Sequence, residues 1–205
     1  MNRSSGMPEQ LLHANSLVEA YLYLKVRPCR ICGNGTLEPQ QPRVDQDQSA
    51  VRIVAACDEC GGADEFHFET SAALTRGDPL SEPYDINASP RPSKLIDVAQ
   101  WLTLYELLLD SAGKTPDRQE ARWLQHRAGQ CLDEALKFYE IGEELPSSEA
   151  FFSEETRRRF HSHPQQFARS KWLERRLRLP ETISPADAVQ PATKCRKWWK
   201  FWDRG

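Results

Sequence analysis

The chain has 205 residues, 39% hydrophobic and 28% charged, with a mean hydropathy of −0.67. This balance excludes wholesale disorder, and the absence of any apolar run near 20 residues excludes a membrane-spanning helix from the sequence expectation. The net charge of −3 hides a strong asymmetry: residues 1–155 carry 14 Lys/Arg against 26 Asp/Glu, and residues 156–205 carry 13 against 4. Such a distribution suggests either a basic end that meets an anionic surface or one that folds back on its own acidic body.

In chain order, Leu11, Ala14, Leu17/Val18, Tyr21 and Leu24 recur every three or four residues. Together with Pro8, this spacing predicts an N-terminal helix within residues 1–26. Nothing in the first residues resembles a secretory signal, so a reducing cytoplasm is the expectation. There, clustered cysteines read as metal ligands rather than disulfides.

Residues 27–70 contain Cys29-Arg-Ile-Cys32-Gly and Cys57-Asp-Glu-Cys60-Gly, separated by 24 residues. Two residues between each pair let a tight turn aim both thiolates at one metal, and the following glycines admit the backbone angles such a turn needs. Strand-forming pieces flank the pairs: Val51 to Ala56 enters the second, and Glu65 to Glu69 leaves it with Phe66 and Phe68 on one face and His67 on the other. This arrangement resembles the C4 zinc-ribbon class over residues 27–70. The spacing points to one structural zinc ion held by Cys29, Cys32, Cys57 and Cys60, because four thiolates close the tetrahedral shell and leave no position for substrate.

Residues 71–93 hold Gly77, Pro79, Pro83, Pro90 and Pro92, which predicts a connecting loop and an internal boundary. A helical region over 94–179 follows. Ser93 is a candidate cap for a helix over 94–112, with Val98, Leu102, Tyr105 and Leu109 on one face. Thr115-Pro116 is a candidate start for a second helix reaching toward Pro146, with Leu124, Ala128, Cys131, Ala135 and Phe138 inward. The short connection predicts an antiparallel hairpin, with Cys131 as a small core residue. Ser153 can cap a short helix through Phe160, and Pro164 can open another through Leu179.

Residues 180–193 are proline-rich and polar, the composition of a flexible linker. They lead to a basic, aromatic tail, 194–205, in which Trp198, Trp199, Phe201 and Trp202 alternate with five cations. Cations interleaved with indoles suit an anionic membrane interface or a groove on a protein partner. Arg157, Arg158, Arg159, Arg175 and Arg176 offer an alternative, the phosphates of a nucleic acid.

The sequence therefore predicts an α+β protein: a zinc-bound β unit, a mainly helical body, a linker and a tail. The function expected is that of a non-enzymatic zinc-binding adaptor or regulatory protein, since no phosphate-cradling glycine loop or nucleophile motif is present.

Overall fold

The computed structural model describes residues 11–40, 43–44, 50–70 and 85–181. The chain is mixed α+β and divides into two compact units, Met1–Thr75 and Arg76–Gly205. The division falls inside the stretch 71–93. The expected linker beyond residue 181 and the expected basic tail, with Trp198, Trp199 and Trp202, lie outside the described residues.

In the first unit, β4 (Ala50–Cys57) and β5 (Ala63–Thr70) pair antiparallel around the second cysteine pair. On the far edge of β4 lie β2 (Leu37–Pro39) and β3 (Arg43–Val44), both antiparallel to it. One face of this sheet buries Val51, Ile53, Phe66 and Phe68, as period-two alternation requires, while Glu65 and His67 take the other. Tyr23 of α1 (Leu17–Val26) meets Phe68 edge to face, 6.2 Å between ring centres, and Lys25 pairs with Glu38 of β2.

The N-terminal segment corrects the sequence expectation. Leu11–Ala14 is not the first turn of a helix but a strand, β1, parallel to β5 with Leu12 opposite Phe68. The helix begins later, where the Ser16 hydroxyl accepts the Glu19 N–H at 3.1 Å. Spacing of three or four over only four residues does not separate helix from strand, and the unpaired edge of β5 decides it.

The second unit is built on α2 (Val98–Lys114) and α3 (Arg118–Leu136), which pack as the expected helical hairpin. Leu124, Ala128, Cys131 and Ala135 are buried, and so are Trp101, Leu104 and Leu108 on a second stripe of α2. The caps differ from expectation. Asp97 rather than Ser93 caps α2, and Asp117 rather than Thr115 caps α3. Ser93 instead closes the turn before α2 by accepting from the Leu95 and Ile96 N–H groups. The second helix stops at Leu136, well before Pro146.

Residues 85–93 are part of this unit rather than connecting loop. Ile86 and Asn87 are buried, and the Lys137 ammonium donates to the carbonyls of Asn87 and Ser89 and to Glu134, at 2.9, 2.8 and 2.7 Å. All three of its donors are thereby used.

Ser153 caps α4 (Glu154–Ser162) as expected. Residues 164–179 do not form one helix. A 3₁₀ turn over Pro164–Phe167 precedes α5 (Arg169–Arg176), whose Trp172 is buried against Tyr105. Gly129 leaves room on α3 for Arg176, which pairs with Asp133 at 2.7 Å.

Candidate metal centre

Strand pairing brings the two cysteine pairs together. Cys57 ends β4 opposite Leu37 at the start of β2, so the turn that precedes β2 and the turn that follows β4 face each other. The two turns are built alike. Gly33 N–H donates to the Cys29 carbonyl at 2.9 Å, and Gly61 N–H to the Cys57 carbonyl at 3.0 Å. Both glycines take positive φ, 81° and 69°, which is why glycine follows each pair.

The four sulfurs lie within 4.8 Å of one another. Cys29 and Cys60 approach to 3.7 Å, Cys32 and Cys57 to 3.6 Å. These separations match the edges of a tetrahedron with metal–sulfur bonds of about 2.3 Å. Cys29 and Cys57 are buried, Cys32 is half-buried and Cys60 exposed. The chemistry of the donor set therefore fits a metal ion, and among the described residues no other group of His, Cys, Asp or Glu is so arranged.

Backbone groups prepare the sulfurs for negative charge. Ile31 N–H points at Cys29 Sγ at 3.3 Å and Gly35 N–H at Cys32 Sγ at 3.4 Å. The N–H groups of Asn34 and Gly35 hold the Cys32 thiol down to about 7. At Cys57 the Cys60 N–H pulls the same way, but burial and the neighbouring Cys60 and Cys32 thiols outweigh it and push the value up to about 12. Four converging thiols cannot all ionise alone; a cation among them draws all four into the thiolate form.

Three features beyond the cysteines went unread in the sequence. Asp58 clamps the first turn to the second by accepting from the Thr36 N–H at 2.7 Å and the Thr36 hydroxyl at 2.8 Å, while its own N–H donates to the Thr36 carbonyl. Gly35 is required for space, since a Cβ there would lie 2.2 Å from Cys57 Sγ. Arg27 and Arg30 both stack on Phe66, at 5.5 and 5.7 Å, placing cations beside a site that keeps two negative charges when four thiolates hold a divalent ion. The Asp following Cys57 and the Gly-Thr following Asn34 are the only marks these leave in the sequence.

The other predicted residues do not form one site. Arg157, Arg158 and Arg159 are exposed on α4, with Arg158 paired to Glu154 at 3.1 Å. Arg175 rests on the Trp172 ring at 4.9 Å, and Arg176 belongs to Asp133. Cys131 is buried in the hairpin. Among the described residues no helix is long and apolar enough to cross a membrane.

Comparison with protein-family models, with curated proteins and with solved structures finds no match.

Proposed function

We propose that this protein is a zinc-stabilised interaction protein, a non-enzymatic adaptor or regulator whose metal holds one unit in shape. The observation that carries the reading is the convergence of Cys29, Cys32, Cys57 and Cys60 within 4.8 Å, with no further His, Cys, Asp or Glu grouped with them among the described residues. A closed tetrahedron of four thiolates on two Cys-x-x-Cys turns is the donor set of structural zinc sites, and zinc is the ion this reading assigns. A shell closed by four protein ligands leaves no coordination position for water or substrate, so its contribution is to folding.

Purified full-length protein should carry about one zinc per chain. Any single Cys→Ser change among the four should lower that ratio. Full zinc content in the quadruple variant would overturn the assignment.

The partner-facing part of the reading rests on residues 194–205. Their cations would draw the segment to an anionic surface, and the indoles would settle at its boundary with water. Full-length protein should bind vesicles containing phosphatidylserine. Trp198→Ala with Trp199→Ala and Trp202→Ala should abolish this while zinc content stays unchanged. Equal binding by the triple variant would remove the tether from the reading.

A further inference from the structure

The connection between α3 and α4 has an unusual surface. Ile141 is 101% exposed, Leu145 39% and Phe152 42%, with Phe138 half-buried against Phe152 at 6.1 Å between ring centres. The same stretch, 138–152, carries Glu140, Glu143, Glu144 and Glu149 and no cation. Glu144 is engaged by Ser170; Glu140, Glu143 and Glu149 make no ion pair among the described residues.

The loop is held in this form. Glu143 N–H donates to the Glu140 carbonyl at 3.1 Å, and Gly142 takes φ 89°, so a tight turn lifts Ile141 into solvent. Arg169 N–H fixes the Glu144 carbonyl at 2.8 Å, and the Tyr139 hydroxyl donates to the Phe167 carbonyl at 2.7 Å. An exposed apolar side chain presented by a hydrogen-bonded turn, in a stretch that carries the exposed carboxylates of Glu140, Glu143 and Glu149 and no cation, fits a segment that is both cationic and aromatic.

We propose that this surface docks residues 194–204 of the same chain. That segment has Lys194, Arg196, Lys197, Lys200 and Arg204 against the single Asp203, with Trp198, Trp199, Phe201 and Trp202 between them. Both halves of the surface are matched: indoles for Ile141, Leu145 and Phe152, and cations for Glu140, Glu143 and Glu149. The reach is sufficient. Glu144 is bonded to Ser170 at the start of α5, an eight-residue helix about 12 Å long. The 15 residues from Leu179 to Thr193 span up to about 50 Å, ample to return along it. Resting on the tether reading, the consequence is regulatory: an anionic surface and the acidic loop compete for one segment, so the protein is self-occupied until that surface is present.

The test uses full-length protein. Amide exchange across 194–204 should be about tenfold slower than in an unprotected chain. It should speed up at high salt, and equally in two variants, Glu140→Gln/Glu143→Gln/Glu149→Gln and Ile141→Ser, both of which should keep the parent's far-UV dichroism because the residues are exposed. Both variants should bind phosphatidylserine vesicles more tightly than the parent. Unprotected exchange in the parent, or protection unchanged in both variants, overturns the docking. Protection that rises with protein concentration also overturns it, by assigning the loop to a second copy. Protection without vesicle binding by any form leaves the docking intact and removes only the tether.

Discussion

Gly35 and Gly113 show how differently one residue type serves the two units. A methyl group at position 35 would lie 2.2 Å from the Cys57 sulfur and 2.8 Å from Asp58 Oδ1, both fixed by the turn. Gly35→Ala is therefore expected to displace Cys57 and to abolish stoichiometric zinc, measured on the purified variant. At Gly113, near the end of α2, a Cβ meets nothing within 4 Å. There alanine relieves the entropic cost of glycine in a helix, and Gly113→Ala should raise the stability of the second unit by about 0.5–1 kcal/mol in denaturant unfolding. His126 supplies a residue-scale pH dependence. Burial lowers its pKa, only partly offset by the Pro180 carbonyl. Below an unfolded value of about 6.5 the unfolded chain binds a proton that the folded chain resists. Stability should fall as pH drops from 7 to 5, and His126→Gln should flatten that slope. An unchanged slope would place the dependence elsewhere.

At the scale of elements, what was legible was what depends on local spacing. The paired cysteines, the alternation in β4 and β5, and the inward face of α3 are periodic signals, and each is realised in the structure. What was not legible depends on partners distant in sequence. β1 is a strand because β5 offers it an edge, and residues 85–93 are ordered because Lys137, some 50 positions later, has three donors to place. The displaced cap of α2 has the same cause. Asp97, 1% exposed, accepts from Gln100 N–H at 2.8 Å through one oxygen and from Phe152 N–H and the Thr156 hydroxyl, at 3.1 and 2.8 Å, through the other. It thus ties the start of α2 to the start of α4. Ser93 could cap one helix but not join two. Asp97→Ala removes the cap and the acceptor shared by the Phe152 N–H and the Thr156 hydroxyl, and should cost about 2 kcal/mol. Ser93→Ala, which opens only a turn, should cost about 1 kcal/mol. Equal costs, measured by urea unfolding, would deny Asp97 this joining role.

Across the whole molecule, the two units hold together by different means. The second buries a broad apolar core, from Trp101 and Leu104 to Phe167 and Trp172, and joins its elements through the buried polar groups Asp97 and Glu134 and the ammonium of Lys137. None of this involves a cysteine of the metal centre. The first unit buries a smaller core, built on Leu22, Leu24, Leu37, Ile53, Phe66 and Phe68. Its two turns, 29–35 and 57–62, are each closed by two backbone hydrogen bonds, which a bound metal would reinforce at four points. Small units of this kind draw a large share of their stability from the ion. Because an ion bound only by the folded form stabilises that form alone, removing it should loosen its own unit and leave the other. With a strong chelator, hydrogen exchange should quicken first at residues 29–36 and 57–62, then along β4 and β5. Amides in α2 and α3 should keep their protection. Protection lost at one rate throughout would mean a single cooperative body, with the metal supporting the helical hairpin as well as the sheet.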